Sequence, residues 1–213
     1  MRPLFRYLIL GFLTCSACAG LVYYQLGNQP LSLVQHRDGQ GQALLGGSFN
    51  LIDQFDKRRS SEEFKGKIML IYFGYSFCPD ICPMGLQNIT QALTLLGRDR
   101  DQIVSIFITV DPKRDTSKHL AIYATNFHPS FIMLTGTLDE IEKVKKDFRV
   151  YAAPAMEGHK ADSNDYLIDH TTLVYVMDKK GTYVESFAHS TPPEMMVRIV
   201  QKVLMKGNHP QTK

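Results

Sequence analysis

The sequence predicts an α/β domain in which parallel strands are joined by helical crossovers and followed by an antiparallel hairpin and a last helix. Three observations carry that expectation. Residues 68–75 (IMLIYFGY) form an unbroken apolar run rich in β-branched and aromatic side chains, the pattern of a strand covered on both faces rather than one that alternates. Residues 102–110 (QIVSIFITV) repeat the pattern after an amphipathic helical stretch, so the two strands pair in parallel through a right-handed crossover. Residues 170–177 (HTTLVYVM) and 182–187 (TYVESF) flank a turn with Asp178, two lysines and Gly181, which reads as a hairpin.

In chain order, residues 7–26 (YLILGFLTCSACAGLVYYQL) carry no charge and supply the roughly 20 residues that a membrane-crossing helix needs. Arg2 and Arg6 precede the run, the next positive charge is Arg37, and Tyr23 and Tyr24 stand where an interfacial belt belongs. By the positive-inside rule the first residues stay in the cytoplasm and the rest is exported. A cleaved signal peptide, with small residues at 17–20, is the rival reading. So short a stretch before the span leaves no room for an organellar presequence. This favours a bacterial inner membrane, with the domain in the periplasm, over a mitochondrial inner membrane facing the intermembrane space. Residues 1–26 are then stub and anchor, 27–47 a linker rich in Gly, Gln and Pro, 48–207 the domain and 208–213 a tail.

Within the domain, Phe49, Leu51, Ile52 and Phe55 predict a short strand or hairpin with Asp53 and Asp56 at turns. SSEEF (60–64) reads as a cap and one helical turn, stopped by Gly66. After the first apolar strand, Met84, Leu86, Ile89, Ala92, Leu93 and Leu96 recur at helical spacing, which predicts a helix over 83–98 closed by Gly97. Asp111-Pro112 ends the second strand, and a helix over 116–127 follows, capped by Thr116 or Asp115. A third strand over 131–134 leads to a helix over 137–148 whose Leu138, Ile141, Val144 and Phe148 share a face. Residues 152–166 break this rhythm as an exposed insertion. Pro192 and Pro193 introduce the last helix, 194–206. With two cysteines at the first strand-to-helix junction, the arrangement is thioredoxin-like with an N-terminal hairpin extension.

Composition excludes several classes. With 44% hydrophobic and 21% charged residues in 213, the chain can bury an ordinary core. A net charge of +3, without any cluster of Lys and Arg interleaved with aromatics, argues against nucleic acid as a partner. Four cysteines are too few for a disulfide-stapled mini-domain. Cys15 and Cys18 read as small residues of the membrane run.

Cys78 and Cys82 are the chemical feature. A helix starting near Asp80 or Cys82 places both sulfurs at its N-terminus, where free N–H groups and the macrodipole favour thiolate. Cys-x-x-Cys here would suggest disulfide exchange, but the extra residue widens the loop. Soft thiolates instead suit Cu(I), and a third ligand would complete a small coordination shell. His170, at the start of the hairpin and after Asp169, is the candidate. Metal binding, thiol–disulfide exchange and peroxide chemistry all remain open on the residues alone, although a peroxidase lacks its Thr-x-x-Cys pattern.

YFGYSFCPDICP (72–83), ITVDPKRDT (108–116) and DHTTLVYVMD (169–178) together resemble the Sco/SenC family of copper-binding assembly factors for cytochrome c oxidase, over nearly all of residues 49–206. The resemblance implies a thioredoxin-like domain that binds one copper ion, as Cu(I) or Cu(II), through Cys78, Cys82 and His170. It also implies copper donor proteins as partners, delivery to the binuclear copper centre of oxidase subunit II, or reduction of that subunit's cysteines. Many family members carry Thr-His where this chain has Ser76 and Phe77. Asp111 and Asp115 belong to a motif that lies near the metal in the family, so with Asp169 they are candidates for supporting the ligands. Met156 and His159 on the insertion are copper-competent, whereas His119, His128, His189 and His209 have no partner at metal spacing and read as surface residues.

Overall fold

The structure, a computed structural model, describes residues 45–155 and 166–208. The apolar run at 7–26, the linker up to residue 44, Met156, His159 and His209 lie outside the described residues. Among those described, no helix is long and apolar enough to cross a membrane.

In chain order the described elements are β1 (Asn50–Asp53), β2 (Arg58–Ser60), β3 (Ile68–Gly74), α1 (Ile81–Leu95), β4 (Ile103–Thr109), α2 (Ser117–Ala124), β5 (Phe131–Thr135), α3 (Leu138–Asp147), β6 (Ala152–Pro154), β7 (Ile168–His170), β8 (Leu173–Met177), β9 (Tyr183–Ala188) and α4 (Pro193–Asn208). Seven strands make one sheet in the order β2-β1-β5-β4-β3-β8-β9, and β6 pairs with β7 in a separate ribbon. β3, β4 and β5 are parallel, while the β8–β9 and β1–β2 hairpins run antiparallel to their neighbours. Every residue of β3 and β4 is buried, the reason neither sequence alternates.

The sheet is covered on both faces. On one side the Tyr72 ring packs beneath Gly85 of α1, and α4 lies against α1. On the other, Phe73 meets Phe148, at the end of α3, and the edge of Tyr175 on β8. Local chemistry agrees with each element. Thr137 and Glu140 form a capping box on α3, and Ser60 and Glu63 do the same on the short 3-10 turn Ser61–Phe64. Asp53 accepts the Phe55 and Lys57 N–H groups and so closes the β1–β2 turn.

A strand, β6, forms within the stretch expected as an exposed insertion, Leu138 is exposed rather than buried with Ile141, Val144 and Phe148, and two further elements differ from the sequence expectation. α1 starts at Ile81 rather than Pro83, because a proline in the first turn forfeits only an N–H that has no intrahelical partner. The second difference concerns His170, which closes β7 rather than opening the hairpin; the hairpin strand begins at Leu173. β7 has three residues and its partner β6 contains Pro154, so neither carries a periodic signal. The pair exists through tertiary contact.

Candidate metal centre

The site is assembled where β3 gives way to α1. The loop is folded by the Cys78 N–H donating to the Tyr75 carbonyl at 3.3 Å. Asp80, at the N-cap of α1, makes no side-chain cap. The Cys78 sulfur takes that place, accepting the Cys82 N–H at 3.4 Å. Cys82, in the first helical turn, has no exposed surface, and Cys78 is 8% exposed. β7 delivers the third group: His170 Nε2 stands 3.3 Å from Cys82 Sγ, and the three ligand atoms lie within 4.8 Å of one another. The His170 Nδ1 sits 2.9 Å from the Thr171 carbonyl. A carbonyl only accepts, so Nδ1 carries the hydrogen and the Nε2 lone pair faces the sulfurs. Two soft sulfurs and one imidazole nitrogen, close enough to reach a single ion with bonds of about 2.0–2.3 Å after slight closure, are a donor set suited to copper.

The two thiols are free and unequal. The Cys78 thiol is held well below the usual cysteine range, first by the hydrogen bond from the Cys82 thiol and then by the backbone N–H groups of Cys82 and Asp80, against the cost of burial. Cys82 is pushed up by that same bond, by its own burial and by the charge on Cys78. The first charge on the pair therefore rests on Cys78, the sulfur that accepts the N–H at the helix start.

The surroundings hold these groups in place. The Tyr75 hydroxyl accepts the Ile168 N–H at 3.1 Å, and its ring meets the His170 ring edge-on at 5.7 Å, so one side chain of the cysteine loop sets both the strand and the ring of the histidine. Asp115 is buried and accepts the Ser76 N–H at 3.0 Å, the Ser76 hydroxyl and the Thr109 hydroxyl at 2.6 Å. It does not cap α2, which is the corrected role of this residue: Thr116 is the N-cap. Asp111 pairs with Arg114 and accepts the Tyr166 hydroxyl at 2.8 Å. Arg114 donates to the Tyr166 carbonyl at 2.9 Å, and its guanidinium lies over the Tyr166 ring at 3.6 Å. Asp111 and Arg114 thus fasten the chain two residues before β7. Asp169 is exposed, and the bond that orients His170 goes to Thr171 instead.

Phe77 lies between the Arg114 guanidinium at 4.7 Å and the His119 ring at 4.9 Å. His119, His128 and His189 are half-buried rather than on the open surface. His119 is stacked, the His128 Nδ1 accepts the Ser130 N–H, and His189 packs over Gly85. None of the three joins the Cys78–Cys82–His170 cluster.

Sequence reasoning missed Tyr75, Arg114 and Gly74. Tyr75 ends the apolar run and Arg114 stands within the 108–116 segment, with no local pattern to mark either. Gly74 had a legible signal, a glycine ending a buried strand beside the cysteines. A Cβ there would lie 2.8 Å from Cys82 Sγ and 2.9 Å from the Phe107 ring. Gly74→Ala is expected to cost about 1–3 kcal/mol through overpacking and to displace the Cys82 sulfur. Thermal melts and copper uptake measured on the same sample check both effects, and unchanged uptake would show that the sulfur needs no such clearance.

Residues 37–205 match the family model described as SCO1/SenC. A SCO2-like protein of Rickettsia felis is 42% identical over 165 residues, 77% of each chain. The human protein described as SCO1 homolog, mitochondrial, is 34% identical over 152 residues, 70% of this chain and 50% of that one. The solved structure of Bradyrhizobium japonicum ScoI with copper bound superposes with a TM-score of 0.68 at 39% identity, covering 75% of this chain and 99% of the other. The mixed α/β architecture is that of these thioredoxin-like Sco structures. By the match over residues 37–205 and the identity to these relatives, the chain belongs to the SCO1/SenC family.

Proposed function

We propose that this chain is a copper chaperone that carries one copper ion on Cys78, Cys82 and His170 and helps to assemble the binuclear copper centre of cytochrome c oxidase subunit II. The observation that carries the reading is the convergence of two thiols and an imidazole lone pair within 4.8 Å, in a family that includes a structure with copper bound. Cys78, the sulfur whose charge the helix start favours, would be one sulfur ligand of the copper cargo. Cys82 releases its proton to solvent and makes the second, and His170 Nε2 closes the set. A cleft of about 320 Å³, lined by Tyr75, Cys78, Ile81, Ile168 and His170 among others, opens the site to a copper donor on loading and to the oxidase subunit on delivery. Asp111 and Asp115 support the ligands through the contacts described above. The apolar run at 7–26 anchors the domain, with residues 27–47 as tether, 48–207 as the working unit and 208–213 as tail. Its place is a bacterial inner membrane facing the periplasm; the mitochondrial description of the human relative supports the alternative of the intermembrane space.

The depressed Cys78 thiol also favours a second role, reduction of the subunit's disulfide. The Cys78 thiolate would attack one substrate sulfur and release the other as thiolate. Cys82, after losing its proton, would then attack Cys78 Sγ, freeing the second substrate thiol and leaving a Cys78–Cys82 disulfide. Anaerobic titration of the reduced protein with Cu(I), followed by mixing with apo subunit II, separates the two. The expected result is uptake of one equivalent and its appearance on the subunit. No uptake, with reduction of an oxidised subunit intact, would leave only the thiol chemistry.

A further inference from the structure

The end of the sheet remote from the copper ligands carries lysines that the scheme above does not use. Lys65 and Lys67 stand in the loop that enters β3, and Lys179 and Lys180 in the turn between β8 and β9. Met69 of β3 pairs with Met177 of β8, so the two loops meet, and the Gly66 N–H donates to the Lys179 carbonyl at 2.8 Å. Lys65, Lys67 and Lys180 are exposed, while Lys179 reaches along the rim to Gln102 at 3.0 Å. Carboxylates lie among them as well. Glu62 pairs with Lys65, and Asp178 is turned into its own loop, where it accepts the Lys180 and Thr182 N–H groups. The neighbouring 3-10 turn Gly97–Gln102 (GRDRDQ) carries as many aspartates as arginines and adds no net charge. A cavity of about 230 Å³ opens at this end, lined by Leu45, Gly46, Lys65, Lys180 and Thr182 among others, so the first described residues of the chain lie beside the lysines. Cys78 follows the other end of β3, whose 7 residues separate the two ends by roughly 20 Å. There the copper cleft is lined by two exposed carboxylates, Asp80 and Asp169. The domain is thus basic where the chain enters it and acidic at the mouth of its site.

We infer that this lysine end seats on the anionic phospholipid headgroups of the bilayer that holds the chain, which turns the copper cleft toward the aqueous side and toward the proteins that load and unload it. Residues 27–44 separate the apolar run at 7–26 from Leu45. A chain of that length spans about 20–25 Å as a coil and about 60 Å when extended, so its length alone sets neither the distance nor the orientation of the domain. Tethering does hold the lysines at high local concentration near the surface, where a weak patch suffices. Each lysine at an anionic surface strengthens attachment about fivefold. Four lysines set against Glu62 and Asp178 leave two charges, a bias of about 30-fold toward the seated state, while Asp80 and Asp169 at the opposite end are repelled. The attraction fades within about 10 Å at moderate salt, so only the end that touches the surface feels it.

The inference rests on the reading of residues 7–26 as a membrane anchor, and its test separates the two. The chain has no tryptophan, so an introduced one is the sole donor for energy transfer to dansyl-labelled headgroups. Thr182→Trp places it beside the lysines. The control is Met195→Trp, at an exposed position in the first turn of α4; that helix ends beside Gln102, so its first turn lies at the far end. Each full-length protein is reconstituted into vesicles of phosphatidylcholine alone or mixed with phosphatidylglycerol, at low and high salt, and flotation reports the anchor. Transfer from position 182 is expected to rise at least about twofold when phosphatidylglycerol is present. It should fall back at high salt, and also in the combined Lys65→Gln, Lys67→Gln, Lys179→Gln and Lys180→Gln variant, while transfer from position 195 stays low throughout. The salt series leaves the lysines in place, so misfolding of the glutamine variant cannot imitate the loss. Transfer from position 182 that ignores lipid charge and salt, or that transfer from position 195 matches, would overturn the inference while leaving the anchor intact. Protein that floats with neither kind of vesicle would overturn both.

Discussion

His170→Ala is expected to lower copper affinity by at least about 100-fold, because loss of a partner that merely orients a ligand already costs 10–100-fold. The fold should survive the change. His170 is half-buried at the end of a three-residue strand, and the Thr171 carbonyl it leaves is partly exposed and can bond water. The variant still offers two sulfurs, but these alone leave a soft ion with an open side toward the cleft. Competition titration with a Cu(I) chelator measures the loss, and a melting curve confirms that the fold persists. Retained affinity in His170→Ala, with loss in Cys78→Ala or Cys82→Ala, would reduce the centre to a dithiol and favour the reductase reading. Cys82→Ala is also expected to release Cys78 from the hydrogen bond that contributes most to its low value, so that variant tests the inequality of the two thiols.

Asp115→Ala is expected to destabilise the domain by about 2–4 kcal/mol. The carboxylate serves the Ser76 N–H, the Ser76 hydroxyl and the Thr109 hydroxyl, and each buried donor left without a partner costs about 1–3 kcal/mol, less where a hydroxyl can turn elsewhere. For a domain of this size that corresponds to a melting temperature lower by roughly 4–16 °C. Burial raises the Asp115 carboxyl above its ordinary value, against the hydrogen bonds from Ser76 and Thr109. A folded-state value above the unfolded one means that its contribution is greatest below pH about 4, the unfolded value. The contribution declines as the pH rises through the raised value. The gap between wild type and variant should therefore be widest in acid and narrow toward neutrality. Denaturant melts at several pH values check this, and a gap that widened with pH would mean that Asp115 acts mainly as a stabilised anion. Because Ser76 lies two residues before Cys78, the variant should also loosen the copper site.

Much of the fold was legible because it follows local rules. β3 announces itself as an unbroken apolar run and β4 as one interrupted at Ser105, since each is covered on both faces, and α3 shows its capping box and apolar face without reference to anything distant. The dithiol was legible for the same reason: Cys78 and Cys82 are four residues apart, and the chemistry of sulfurs at a helix start needs only that spacing. His170 was different. Its separation from Cys82 is 88 residues, and no periodicity says where a three-residue strand such as β7 will lie. On the residues alone it was a candidate third ligand by its place near the hairpin, and the family motif strengthened that reading.

The sequence by itself determined the α/β class, the order of its main elements and the pair of cysteines at the head of α1, because backbone propensity, hydrophobic period and short-range spacing act within a few residues. Tertiary structure alone decided which sulfur is favoured as the thiolate, since the charge on Cys78 depends on a hydrogen bond from Cys82, on the backbone N–H groups it faces and on burial, all of which exist only after folding. It decided that Asp115 turns inward to hold the cysteine loop rather than capping a helix, and that β6, Tyr75 and the Asp111–Arg114 pair hold the chain that carries His170. These are contacts between residues far apart in the chain, and packing rather than local preference selects them.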